Sequence, residues 1–346
     1  MSTLNFIFPE LPEVAPGNKY FILSDFYKEH APMMEYPAVV IAFDITQLNK
    51  TNQNNGILVG DQSINTLAQI IQMTIPAPIC LVQDFDAKLL AIIPKTKIEK
   101  ATKLAQEIQK QFGNLVFGMG EAHSNFSINM AVEEAIESSR IQQILNPKSK
   151  KHEPLFALLS MMETTDADLK RHVKRTQELS VKLAEKIGLP FLEKSQLQLV
   201  CVLHDIGKLF VPQNILQKNG ALTKEEMAQI KQHAQKGADF LLKMPSFENI
   251  ALFVKYHHER YDGKGYPEGI AGHTIPLLSR IVSLVDSYDA MANDRVYRKA
   301  LSEREIVNEL LDNIGTQFDP HLASLLITMI ESGELTPGKE KDLCSC

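Results

Sequence analysis

KSQLQLVCVLHDIGKLF, residues 194–210, carries apolar side chains at spacings of three and four and therefore reads as a helix. The run ends in His204-Asp205. Burying an imidazole and a carboxylate at the end of an apolar stretch is costly unless something partners them, and a metal ion is the expected partner. Lys208 stands one turn beyond His204, close enough to aim an ammonium at phosphate oxygens.

Working outward, the same texture recurs. LKRHVKRTQELSVKLAEKIGL places His172 on an amphipathic helix, with Asp168 four residues earlier on the same face, so that the two side chains can converge. Thr223-Lys-Glu-Glu226 is a capping box that opens a helix carrying His233, which precedes Gly237 by four residues. His257 and His258 are adjacent. Neighbouring helical residues point about 100° apart, so the helix must end, bend or lie between two ligand sets if both histidines bind metal. Asp262-Gly-Lys-Gly-Tyr-Pro267 follows directly and supplies such an ending. Asp286 interrupts the apolar run RIVSLVDSY, with Asp289 one turn on, and a carboxylate there wants a metal, an arginine or a cap. Arg295 and Arg298 are one turn apart, and guanidinium groups suit phosphate. Imidazoles and carboxylates gathered from several helices can hold divalent metals side by side, and such a site hydrolyses phosphate esters.

The first half of the chain has a different pattern. Residues 1–36 read as an irregular extension or short helical lead-in, broken by Pro9, Pro12, Pro16 and Pro32. Across 37–145, PAVVIAFDI, the two halves of ICLVQDFDAKLLAIIP and NLVFGMGEA read as strands. They alternate with helical GDQSINTLAQIIQMT, KIEKATKLAQEIQKQF and INMAVEEAIESSRIQQIL. The predicted fold is thus multidomain: an α/β (α+β) domain over 37–145, a linker at 146–154, an all-α domain over 155–340 and a tail at 341–346.

Length and composition agree with this division. A chain of 346 residues is long enough for two cores, and 44% hydrophobic with 23% charged residues describes an ordinary globular protein. No stretch approaches the roughly 20 apolar residues that span a bilayer, and the start lacks a basic segment followed by a long apolar run, so a cytoplasmic location is expected. The four cysteines, Cys80, Cys201, Cys344 and Cys346, do not form a disulfide framework. A net charge of -6 argues against a DNA-binding surface and favours a small phosphorylated partner met by local cations.

HDIGK, the downstream His233 with Gly237, HHERYDGKGYP, RIVSLVDSYDAMANDRVYR and GTQFDPH together resemble the HD-GYP family of cyclic di-GMP phosphodiesterases, over residues 152–335. The resemblance implies that His172, His204, Asp205, His233, His257, His258 and Asp286 ligate a di- or trinuclear iron or manganese centre, with Asp205 bridging. It also implies that Lys208 contacts the scissile phosphate, and Tyr266, Arg295 and Arg298 the dinucleotide. Family members with three metals carry a glutamate where this chain has Asp168, which makes Asp168 the candidate ligand for a third ion. Residues 37–142 resemble, more distantly, a GGDEF domain whose signature is replaced by Phe85-Asp-Ala-Lys-Leu89, with Asp44 at the position of the family's metal-binding aspartate. Without the glycines that admit a guanine nucleotide, cyclic di-GMP synthesis is not expected. A regulatory role is, with scope for a homodimer through this domain or the linker. Two alternatives remain open at this stage: a receptor that binds a cyclic dinucleotide without turnover, and a hydrolase for another one such as cyclic GMP-AMP.

Overall fold

A computed structural model describes residues 21–23, 26–46, 48, 57–75, 80–83, 88–146, 157–162, 168–218, 220–294 and 299–335. Arg295, Arg298, Cys344, Cys346, residues 76–79 and 84–87, and most of the expected linker fall outside that set. The chain divides into two compact units, Met1–Glu153 with Pro190–Ser195, and Pro154–Leu189 with Gln196–Cys346.

The first unit is built on β2 (Ala38–Ile45), every residue of which is buried. Its sheet also contains β1 (Phe21–Ile22), β3 (Cys80–Gln83), β4 (Leu89–Pro94) and β5 (Leu115–Ala122), in the order β1-β3-β4-β2-β5. β2 lies antiparallel between β4 and β5, with Val40 opposite both Ile92 and Gly120. Because strand side chains alternate between faces, an unbroken apolar run implies cover on both. Val39, Ile41 and Phe43 enter one core with α1 (Ile57–Thr74) and α2 (Ile98–Phe112), while Val40 and Ala42 enter another with α3 (Ile128–Leu145). Asp44, near the end of β2, is buried and pairs in register with Val116.

Glycine decides how closely α3 can lie. A Cβ at Gly118 would stand 2.1 Å from the Ala135 carbonyl oxygen, and one at Gly120 would stand 2.0 Å from that of Ala131. The helix backbone therefore rests directly on β5.

One expectation is revised. The segment before Tyr36 is not merely a lead-in, because Phe21–Ile22 adds a strand parallel to β3 and Phe26 is completely buried in the α3-side core. Two residues are too few to show a period-two pattern, so the strand left no mark in the sequence.

Among the described residues the second unit is helical apart from one isolated bridge: α4 (Leu169–Lys186), α5 (Phe191–Leu203, which straddles the boundary), the short α6 (Gln213–Leu216), α7 (Lys224–Leu241), α8 (Glu248–Lys255), α9 (Leu277–Ala292), α10 (Glu303–Asp312) and α11 (Pro320–Glu331). α7 opens with the expected capping box: Thr223 Oγ1 accepts from Glu226 N at 3.2 Å, and Glu226 Oε2 accepts from Thr223 N at 2.7 Å. Asp319 caps α11 by accepting from the backbone of His321 and Leu322, and it pairs with Arg280 of α9. α9 packs on α4, and α7 packs on both α8 and the 3₁₀ turn Ile206–Phe210. These three packings bring the histidine-bearing segments together.

Candidate metal centre

α5 ends at Leu203, and the chain turns through His204-Asp205 into Ile206–Phe210. Gly207 permits the next step. A Cβ there would lie 1.9 Å from the His233 carbonyl oxygen and 2.7 Å from Gly237 N, so the turn seats directly on the backbone of α7. Gly237 lies one turn after His233 on the same face, which explains that spacing. His233 consequently stands with its Nε2 3.5 Å from Asp205 Oδ1.

α8 stops at Lys255, before the histidine pair, so His257 and His258 are released from helical geometry. Both turn toward the same centre. Their position is fixed by the loop that follows: Tyr266 N donates to the His258 carbonyl, and a Cβ at Gly265 would lie 2.4 Å from Arg260 N. Glu259, 2% exposed, holds the far end of the loop, its Oε1 accepting from Glu268 N at 2.7 Å and Gly269 N at 3.0 Å.

Two overlapping groups result. Asp205, His233, His257 and His258 offer ligand atoms all within 4.8 Å of one another, and so do His172, His204 and Asp205. Asp205 is common to both. Asp286 Oδ1 lies 3.6 Å from His172 Nε2, beside the second group. Lys208 Nζ donates to Asp205 Oδ2 at 2.6 Å.

Hydrogen bonding fixes the tautomers. The Nδ1–H groups of His204, His233 and His257 donate to the carbonyls of Cys201, Ile230 and Val254, each three residues earlier, at 2.9, 2.7 and 2.5 Å. His172 Nδ1 donates instead to Asp289 Oδ2 at 2.7 Å. All four rings are thereby committed to presenting Nε2 inward. His172 and His204 Nε2 are 3.5 Å apart, and those of His233 and His257 are 3.3 Å apart. Bare nitrogen lone pairs facing one another in a buried space repel. A divalent cation reverses the sign of that interaction, and bonds of about 2.1 Å give ligand separations of this size. The donor set thus fits divalent metal.

Electrostatics favour neutral imidazoles at His233, His257 and His258 beside a charged carboxylate. Burial, reinforced by neighbouring histidines, pushes His257 well below the ordinary histidine value and His258 down to about 3. Burial also lowers His233. Burial works against ionisation of Asp205, but Lys208 and the three histidines His204, His233 and His257 outweigh it and hold the carboxyl well below the usual range. For His172 burial is outweighed by the hydrogen bond to Asp289 and by the charges of Asp286, Asp289 and Asp205, and it titrates above the ordinary value.

Asp168, at the N-terminus of α4, accepts from Arg171 Nε at 2.7 Å and pairs with an Arg175 terminal nitrogen at 3.4 Å. Arg175 also donates to both oxygens of Asp289, at 2.5 and 3.0 Å. Tyr266 stacks on His258 with ring centres 4.9 Å apart, and the Lys231 ammonium sits 5.1 Å from the Tyr266 ring centre. The sequence did not mark Arg175, Lys231 or Glu259 as site residues. Arg175 and Lys231 lie in charged helical stretches where any basic residue looks solvent-facing.

Comparison with known families agrees with the two-unit division. Residues 157–322 match the HD domain, and residues 17–147 match the diguanylate cyclase GGDEF domain. The chain is 32% identical over 195 residues to the cyclic di-GMP phosphodiesterase response regulator RpfG of Xanthomonas campestris, covering 56% of this chain and 52% of that protein. It is 33% identical over 192 residues to a cyclic di-GMP phosphodiesterase of Thermotoga maritima, covering 55% and 52%. It is 30% identical over 189 residues to the 3'3'-cGAMP-specific phosphodiesterase 2 of Vibrio cholerae, covering 54% and 36%. The chain spans about half, or less, of the length of these relatives. It carries a GGDEF domain followed by an HD domain.

Proposed function

We propose that this chain is a metal-dependent phosphodiesterase that opens cyclic di-GMP to linear pGpG, or to GMP after a second cut, with its first domain regulatory. The observation that carries the reading is the pair of ligand groups sharing Asp205. His233, His257 and His258 would hold one divalent ion, His172, His204 and Asp286 a second, and Asp205 would serve both. Iron or manganese is the expected metal. The reading takes two ions, because Asp168 is engaged by Arg171 and Arg175. Ions bound there would acidify a water molecule and offset charge on the phosphate oxygens.

The chain supplies the rest. Lys208, held at the shared carboxylate, is placed to donate to a phosphate oxygen as negative charge develops. The backbone-fixed imidazoles keep their donor atoms in place without reorganisation, and Tyr266 with Lys231 offers an aromatic and cationic face to the nucleotide. Arg295 and Arg298 complete the proposed substrate contacts. A cytoplasmic site of action and a homodimer through the first domain or linker belong to the same proposal. No described helix is long and apolar enough to cross a membrane.

Protein purified without oxygen and loaded with Mn²⁺ or Fe²⁺ should release pGpG or GMP from cyclic di-GMP, and Asp205→Asn should abolish turnover. Intact substrate after full metal loading would sink the proposal. The similarity to a phosphodiesterase named for 3'3'-cGAMP favours a second reading, in which cyclic GMP-AMP is the preferred substrate. Competition between the two cyclic dinucleotides separates them.

A further inference from the structure

Beside Asp205 an open cavity enters the HD domain. Leu159, Met162, Leu169, Val173 and Val202 wall this cavity. His204 and Asp205 form part of its lining, and Lys170 is its remaining residue. Val173 follows His172 directly and Val202 precedes His204 by two residues, so the apolar wall continues from the ligand-bearing segments themselves. Both valines remain partly exposed, which leaves apolar surface in contact with solvent beside a polar centre.

We infer that this cavity is a base subsite. It takes one purine base of the cyclic dinucleotide while the attached phosphate lies over Asp205 and Lys208. This rests on the functional reading above and adds to it where a base goes and how it is held. The cavity opens to solvent, and a flat bicyclic base buries its faces well against aliphatic side chains. Lys170 is exposed and adds a cation able to meet a phosphate or the edge of the base. A wall of aliphatic groups contacts the faces of a base and reads few of its edge groups. Such a surface separates similar ligands only weakly. The subsite therefore contributes affinity, and the choice between guanine and adenine is made elsewhere.

Two filling substitutions on different helices test this, Val173→Phe and Val202→Phe, each accepted only if its helicity and metal content equal those of the wild type. Each should raise KM about tenfold with kcat changed less than about threefold, and by similar factors for cyclic di-GMP and cyclic GMP-AMP. Unchanged KM in both variants, or loss of kcat at constant KM, overturns the subsite. A change for one dinucleotide only overturns the claim that it does not discriminate. Failure of the metal-loaded wild type to hydrolyse either dinucleotide strikes the functional reading instead. The subsite is then judged by the variants' Kd for intact cyclic di-GMP, where an unchanged Kd overturns it.

Discussion

Asp289 stands 117 residues after His172, and one of its oxygens accepts the His172 Nδ1 proton while both accept from Arg175. Burial opposes its ionisation, but those two partners outweigh it and keep Asp289 charged. A charged acceptor on Nδ1 makes Nε2 a better donor to metal and fixes the ring orientation. Replacing Asp289 with Asn retains an acceptor oxygen and removes the charge. Because losing such outer partners commonly costs 10- to 100-fold in metal affinity, Asp289→Asn should weaken Mn²⁺ binding by at least about tenfold in a titration read by calorimetry. Unchanged affinity would show that the hydrogen bond is structural only. The sequence showed Asp289 only as the carboxylate one turn after Asp286, the residue in the apolar run that wanted a metal, an arginine or a cap, and the structure gives Asp289 an arginine and a histidine. Its partners could not be named in advance, since nothing local ties residue 289 to residues 172 and 175. Asp205 was easier to read, because the cost of burying it next to His204 is visible within one short apolar run.

At the scale of elements, glycines set how closely backbones meet. Gly207 lies against the carbonyl of His233, so Gly207→Ala must move the turn away from α7 or lift α7 itself. Overpacking at such a contact costs about 1–3 kcal/mol, and here the obstruction is backbone, which cannot swing aside. The variant should lose that much stability in urea and also lose metal, since Asp205 and His233 are positioned by the same contact. Gly220 gives a comparison: a Cβ there meets nothing within 4 Å, although its φ of 139° disfavours a side chain. Gly220→Ala should therefore cost stability without metal. Equal metal loss in both variants would contradict the contact argument. Helices and strands were legible because apolar period follows directly from which faces are covered; the 100° rule required the helix to end, bend or lie between two ligand sets at His257-His258, and the glycine-rich turn that follows pointed to an end. The close seating of the turn on α7 was not legible. A glycine in a sequence does not reveal whether it serves φ or proximity, and Gly207 serves proximity. The strand Phe21–Ile22 escaped notice for want of length, and the apolar cavity did so because its apolar wall comes from Leu159, Met162, Leu169, Val173 and Val202, which read individually as ordinary core.

For the whole molecule, the histidines displaced from their ordinary titration, His172, His233, His257 and His258, fall in one unit, and that makes the two domains respond differently to acid. His258 titrates near 3 in the folded chain, against about 6.5 unfolded, so between those values the unfolded chain holds a proton that the folded chain lacks. Stability contributed by His258 is therefore present above pH 6.5 and lost as pH falls toward 3. His257 and His233 are depressed as well and act in the same direction. His172 is raised, and its contribution is full below about 6.5 and lost as pH rises through its folded value, so it opposes them. Three depressed imidazoles outweigh one raised one. Asp205 adds a loss only below about pH 4, where the unfolded carboxyl begins to protonate. In the GGDEF domain, burial and Glu193 raise Glu134, which favours the folded form slightly as pH falls. At about 1.4 kcal/mol per pH unit, His258 alone removes about 2 kcal/mol between pH 6.5 and 5. For a unit of this size that corresponds to a fall of about 4–8 °C in midpoint. Calorimetry of chelator-treated full-length protein should then show two transitions on acidification from pH 7.5 to 5.0. One should move down by at least that amount and be abolished as a separate response in a His257→Phe/His258→Phe variant, while the other stays in place. Two transitions that fall together would mean that the acid response does not originate in the histidine cluster, and a rise of the transition that the double variant alters would mean that His172 outweighs the other three.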